Sequence, residues 1–131
     1  MKVLKRGEIA IVKSNLKENT PLFIREQAYK KGDVVRFEKS LFEATNDTTR
    51  NEPSNTAYWK WVGTSNEWAC FDYYLNTAAK AENSIELEFS CIGAMGLYIN
   101  GIKARVLEIE VIDTRTGSVI EQCSFRLFAE L

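Results

Sequence analysis

Histidine is absent from this sequence of 131 residues. Its absence excludes Ser-His and Cys-His nucleophile pairs, histidine metal ligands and an imidazole pH switch. Carboxylate chemistry stays open in principle, because two acids can hydrolyse a glycosidic bond, but no cleft-forming context surrounds the candidates Asp33, Asp47, Glu52 and Glu67. The composition therefore predicts a protein that is not an enzyme.

Cysteine is scarce, and the three cysteines are Cys70, Cys91 and Cys123. No two are close in sequence, so no zinc or redox motif is present. Cys91 and Cys123 fall on the apolar side of alternating stretches, which predicts small buried hydrophobes in a reducing compartment. Asp72 and Asp113 could be imagined as calcium ligands, but no spaced set of carboxylates accompanies them. We predict no metal and no cofactor.

Long apolar runs are missing as well. No stretch approaches the roughly 20 apolar residues of a membrane helix. Residues 1–7, which include three basic side chains, contain no apolar run long enough for a signal peptide. We therefore expect synthesis in the host cytoplasm without a signal peptide, and no membrane insertion.

A concentrated basic surface is also lacking. Residues 1–63 carry 12 Lys and Arg against 8 Asp and Glu, whereas residues 64–131 carry 5 against 10. Nucleic-acid binders usually gather basic charge on one face, but here the basic residues of the first half are dispersed among acids. We expect no nucleic-acid partner. The opposite net charges of the two halves could instead favour contact between them, or between copies, or could simply belong to two solvated surfaces.

The second half of the sequence shows the alternation of half-buried β-strands. Apolar residues alternate with polar ones at Ile85, Leu87, Phe89 and Cys91, and again at Leu107, Ile109 and Val111. Asn100-Gly101 and residues 113–117 are turn signals, and residues 119–128 return as a further strand. Residues 75–83 carry several alanines and could form a short helix, although they lack a full apolar stripe.

The first half is also rich in short β patterns. Residues 8–13 are predicted as a strand, and residues 34–37 and 41–45 as a tight hairpin. A polar stretch at 46–56 is predicted as an exposed loop, and residues 58–63 close the segment. With no long amphipathic helix anywhere, the expected fold class is all-β, an antiparallel β-sandwich or a mostly β chain.

One segment of the sequence follows a known order. Residues 29–37 read Tyr-Lys-Lys-Gly-Asp-Val-Val-Arg-Phe, residues 41–44 read Leu-Phe-Glu-Ala, and Pro53 and Trp59 come next. The segment resembles the small chitin-binding modules attached to bacterial chitinases, over about residues 24–63. The resemblance implies a small core made by Val35, Phe37 and Phe42 and closed by Trp59.

The flanks of this segment resemble tail proteins of bacteriophages and prophages, in which such a module is found as an insertion. Residues 14–19 match their Ser-Asn-x-x-Glu-Asn stretch, and residues 63–72 are similar to their Gly-x-Thr-Asn-x-Trp-x-x-Phe-Asp signature, with Ser65 in place of the Thr. We expect Trp68, Phe71 and Asp72 to be structural residues, with both rings buried. The resemblance implies an N-terminal strand in residues 1–20, an inserted module in residues 21–63 and a sandwich in residues 64–131. The sandwich would be of the galactose-binding, jelly-roll-like kind. "The module" below means residues 21–63.

Sugar binding would need exposed aromatic rings, because the apolar face of a pyranose stacks on a ring. The sequence departs from the chitin-binding pattern at two places. It has Phe23-Ile24 where such modules usually carry a Trp, and residues 45–47 where they carry exposed aromatics. Trp61 and Tyr58 are the remaining sugar-binding candidates, together with Tyr29, which opens the motif.

Assembly contacts form the other candidate site. Tyr73 and Tyr74 make an apolar cluster directly after the flanking signature, and tyrosine is favoured at protein interfaces. They are the candidate residues for contact between subunits.

The sequence thus predicts a non-enzymatic structural or attachment component of a phage or prophage tail, at the baseplate or a fibre. We expect the protein in the tail of the virion, with other tail proteins as partners, as a homo-oligomer of trimer or hexamer symmetry. The alternative is a carbohydrate-binding module that recognises chitin-like or host cell-surface polysaccharide. A third hypothesis is an interaction domain of an ordinary bacterial protein.

Overall fold

The computed structural model describes residues 8–72, 78–94, 96–99 and 101–127. These residues form strands, turns, loops and a short 3-10 helix (Ala69–Phe71), and in this part of the chain there is no α-helix. The strands are β1 (Ile9–Ser14), β2 (Ala28–Tyr29), β3 (Val34–Phe37), β4 (Ser40–Ala44), β5 (Thr48–Thr49), β6 (Trp59–Thr64), β7 (Leu87–Cys91), β8 (Val106–Ile112) and β9 (Val119–Arg126). The all-β prediction is confirmed.

The strands pair in small antiparallel sheets with the orders β1-β7, β2-β5, β3-β4-β6 and β8-β9. The chain divides into two units, Met1–Ala94 and Met95–Leu131. The first unit holds the module and the β1-β7 pair, and the second holds the β8-β9 hairpin. A two-layer sandwich and the domain limits inferred from the resemblance stay predictions.

The module is built on the β3-β4 hairpin. Phe37 pairs with Ser40, which leaves a two-residue turn whose first residue, Glu38, has a φ of 53°. Strand β6 adds to the other edge of β4, with Trp59 opposite Ala44. Directly opposed residues project to the same face of a sheet, so the core side chains of the three strands share one side. They are Val35, Phe42, Ala44 and Trp59.

A glycine is required where the chain enters this sheet. Gly32 has a φ of 96°, a conformation that residues with a Cβ rarely adopt. The Gly32 N–H donates to the Ala44 carbonyl at 2.8 Å, and the Ala44 N–H donates to the Asp33 backbone carbonyl at 2.8 Å. The Asp33 carboxylate also accepts the Lys30 N–H at 2.8 Å, so this acid closes the turn.

Two connecting segments were hard to predict from composition alone, and the short helix expected in one of them is wrong. Residues 78–86, which include part of the predicted short helix at 75–83, contain no helix, and the rest of that helix lies outside the described residues. The polar stretch at 46–56 is mostly exposed, as predicted, but it contributes the short strand β5 and buries Thr48 and Pro53. The Thr48 hydroxyl accepts a hydrogen bond from the Asn51 amide at 2.9 Å, which satisfies this buried polar group inside the fold.

The cysteines are less buried than predicted. Cys91 in β7 and Cys123 in β9 are half-buried, and Cys70 is exposed. Both strands belong to two-stranded sheets within their own units, and a two-stranded sheet cannot enclose a side chain fully. All three cysteines are free thiols.

Candidate functional site

Tyr29, predicted as a sugar-binding residue, lies in the core of the module. It is 4% exposed, and its ring stacks on Phe23 with the centroids 5.6 Å apart. The Tyr29 hydroxyl accepts the Ile24 N–H at 2.7 Å and donates to the Ile24 carbonyl at 3.3 Å. Both the ring and the hydroxyl are therefore used inside the protein, and Tyr29 cannot offer a ring face to a sugar.

Trp59 is the centre of the same core. It is 2% exposed, and its ring meets Phe23 and Tyr29 edge-on, with centroids 5.9 and 5.3 Å away. Its indole Nε1–H donates to the Asn51 carbonyl at 2.9 Å, which satisfies the polar atom of a buried tryptophan. Trp59 thus closes the module from inside and also fastens the polar loop to it.

The four predicted core residues lie close together. Val35 and Trp59 are fully buried with Tyr29 and Ala44, and Phe42 packs against this cluster. Phe37 joins through its neighbours, since its ring meets those of Phe23 and Phe42 at centroid distances of 5.8 and 6.4 Å.

Phe23 belongs to the inside of the module. Its ring packs on those of Tyr29, Phe37 and Trp59. The backbone directs the ring inward: the Phe23 N–H donates to the Arg36 carbonyl at 2.9 Å, so the beginning of the module runs beside β3. The next residue, Ile24, is exposed but has no ring.

Trp61 is the sugar-binding candidate whose ring reaches the surface. It lies on β6 opposite Phe42 and is 44% exposed. Tyr58 is half-buried and packs against the core cluster, so it offers less of its ring. Of the three predicted sugar-binding residues, Trp61 is therefore the one with a substantial exposed surface.

Ion pairs lie on the surface of the module. They are Arg25–Glu52, Lys30–Asp47, Arg50–Glu26 and Lys60–Glu43. The Lys31 backbone N–H, and after it the Lys30 side chain, hold the pKa of Asp47 below its ordinary value of 3.8. Three of the four acids considered for glycoside hydrolysis (Asp33, Asp47 and Glu52) thus bind backbone N–H groups or basic side chains of the module itself.

The residues that flank the module meet each other. The Asn66 amide donates to the Lys17 carbonyl at 3.1 Å, and the Glu67 N–H donates to the Glu18 carboxylate at 2.8 Å. Further out, the Asn15 side chain donates to the Ser84 carbonyl and accepts the Glu86 N–H, at 3.1 and 2.8 Å. The stretches before and after the module are therefore fastened side by side.

A small cleft lies where the β3-β4 turn meets the following flank. Its volume is about 180 Å³, and it is lined by Lys39, Ser40, Thr64, Trp68, Phe71 and Asp72. The Lys39 ammonium lies 3.9 Å from the centre of the Trp68 ring, and the Lys39 carbonyl accepts the Ser65 N–H at 2.9 Å. This cation–π contact and hydrogen bond fasten the turn to the flank.

Aromatic contacts continue from this cleft to the strand pair. Trp68 meets Phe71 at a centroid distance of 6.0 Å, and Phe71 meets Phe89 of β7 at 4.9 Å. Trp68 and Phe71 make the packing contacts expected of structural residues, but both are half-buried and not buried as expected. Tyr73 and Tyr74, the residues predicted to make contacts between subunits, lie outside the described residues.

Within residues 8–72, 78–94, 96–99 and 101–127, no group of three or more Cys, Asp or Glu side chains is arranged to hold a metal ion. A search of the same residues for a helix that is both long and apolar enough to span a membrane finds none. No protein-family model, curated protein or solved structure matches this chain at a significant level.

Proposed function

We propose that this chain is a non-enzymatic structural or attachment component of a phage or prophage tail. The observation that supports it most directly is the contact between Lys17-Glu18 and Asn66-Glu67, at 3.1 and 2.8 Å. These residues belong to the two stretches, 14–19 and 63–72, whose sequences resemble tail proteins. They meet across the base of the module, as the flanks of an inserted unit should.

The strand pairing supports the same proposal. Strands β1 and β7 come before and after the module, yet they pair with Ile11 opposite Phe89. The module has its own core, centred on Val35 and Trp59, and does not supply a strand to that pair. The module can therefore project from the strand pair as a separate display unit.

In this proposal the protein acts through shape and surface contacts. Its β-sandwich body binds copies of itself or neighbouring tail proteins, and the module points outward. Tails are symmetric, so repeated weak contacts in a trimer or hexamer add up to firm attachment.

The test is the protein composition of purified particles. Tail-bearing particles induced from the bacterium that encodes this chain are separated on a density gradient and digested for mass spectrometry. We expect peptides of this chain to peak with the particles, in an amount near a multiple of three per tail. A host cytoplasmic enzyme measured in the same fractions is the control. Peptides found only in the soluble host fractions would contradict the tail assignment.

Carbohydrate binding is the second candidate, and the exposure of Trp61 favours it. Replacing Trp61 by alanine is expected to weaken retention on chitin or on host polysaccharide by about tenfold, because stacking contributes about 1 kcal/mol or more. The matched control is Val62→Ala, since Val62 is the next residue on β6, is also exposed, and projects to the other face. Equal retention of the wild-type and Trp61→Ala proteins would remove this candidate.

A further inference from the structure

The β8-β9 hairpin of the second unit has one apolar face. Its register places Leu107 opposite Phe125 and Ile109 opposite Cys123, so these four side chains share one side of the sheet. Val111 continues the row on β8. On the other face, Glu110 accepts a hydrogen bond from the Gln122 amide at 3.2 Å.

This apolar face needs a cover. Phe125 is 50% and Val111 48% exposed, although both project to the apolar side. A two-stranded hairpin is marginally stable in water until its apolar face packs against something. The apolar face is about 14 Å long and about 10 Å wide, from the rise per residue and the strand spacing of a sheet.

Opposite charges stand at the two ends of the face. The Leu127 N–H donates to the Arg105 carbonyl at 2.8 Å, so the ladder extends to Arg105, two residues before Leu107 and on the same side. At the other end, Glu121 lies opposite Val111 and therefore also on this side. Both side chains are exposed, and among the described residues neither has an ion-pair partner.

We propose that the cover is a second copy of this chain. The two hairpins pack face to face about a two-fold axis that runs across the strands, so that the strands of the two copies run in opposite directions. This orientation brings Arg105 to the end of the face where Glu121 of the partner subunit lies. Because of the two-fold axis, the dimer contains this Arg–Glu pair twice. The other two-fold arrangement, with the axis along the strands, would bring like charges together.

A face of this size buries less surface than a standard specific interface, so the contact is weak and the dimer forms in a concentration-dependent way. Such a contact suits an assembly in which it is repeated. The inference does not depend on the proposed tail function, because it follows from the register and the charges of the hairpin alone.

Charge exchange in the full-length protein tests this contact. Sedimentation velocity over about 1 to 300 µM, a range that covers weak association, measures the dissociation constant at low salt. We expect Arg105→Glu and Glu121→Arg each to weaken association by about tenfold, and the double variant to restore it, since the two charges are exchanged. Arg126→Glu makes the same charge change on the opposite face and is expected to leave association unchanged.

Cross-linking through Cys123 provides the second readout. Cys123 lies near the middle of the apolar face, hence close to the proposed axis. In a Cys70→Ser, Cys91→Ser background, a short bismaleimide should yield a covalent dimer, and the Glu121→Arg change should reduce its yield. A monomeric mass at all concentrations without cross-linking would overturn the inference. Larger oligomers whose association is unchanged by Arg105→Glu, Glu121→Arg and Arg126→Glu would also overturn the inference. That second outcome would not contradict the proposed tail function.

Discussion

Replacing Trp59 by alanine is expected to unfold the module and to lower the free energy of unfolding of the first unit by about 3–5 kcal/mol. The indole is almost fully buried, and its removal leaves a cavity beside Phe23 and Tyr29. It also leaves the Asn51 carbonyl without its donor, which frees the polar loop at residues 46–56. Trp59 therefore combines a large buried apolar volume with a hydrogen bond that holds a loop.

Urea denaturation followed by circular dichroism measures this loss, and amide hydrogen exchange locates it. The Gly32 and Ala44 amides, which hydrogen-bond across the start of the sheet, should lose their protection. Trp61→Ala is the matched control, because it removes the same residue type from the same strand at a half-exposed position and should cost about 1 kcal/mol or less. A Trp59→Ala protein as stable as that control would contradict the core described above.

The hairpin at the centre of the module could be predicted from its sequence. Val35 and Phe37 alternate on one strand, Phe42 and Ala44 on the next, and a short polar turn separates them. The structure keeps this pairing, with Val35 opposite Phe42. Local alternation is sufficient here because both strands and their turn lie within a dozen residues.

The role of each aromatic ring could not be predicted in the same way. Tyr29 and Trp61 both stand in β-rich surroundings, and both were candidates for sugar stacking. Tyr29 is buried because the backbone at Ile24, five residues earlier, folds back to satisfy its hydroxyl. No pattern of hydrophobicity encodes that turn, so burial of a polar aromatic depends on a hydrogen bond that only the folded chain reveals.

Long-range pairing is the other part that periodicity leaves open. The alternation at Leu87, Phe89 and Cys91 predicts a strand with one apolar face, and the structure has that strand. Nothing in the alternation says that its partner is β1, which lies before the whole module. Strand partners far apart in sequence are chosen by packing, and a single sequence carries little record of that choice.

Replacing Phe71 by alanine is expected to have the second-largest effect, a loss of about 2–3 kcal/mol, which is below the value for a fully buried ring because Phe71 is half-buried. Phe71 is the middle ring of three, between Trp68 and Phe89. Its removal separates the flank after the module from β7, and the damage should reach β1 through the Ile11–Phe89 pairing. Phe71→Leu keeps most of the apolar volume and should cost about 1 kcal/mol.

The location of the damage distinguishes Phe71 from Trp59. In the Phe71→Ala protein, the amides of β1 and β7 should exchange faster, while the amides of Gly32 and Ala44 should keep their protection. The reason is that the ring contacts found for the module core among the described residues do not include Phe71. Loss of protection at all of these sites together would contradict an independently folded insert. The outcome also bears on function. A module that stays folded when the β1-β7 pair is destabilised can be displayed as an independent unit, whereas a module that unfolds together with this pair cannot.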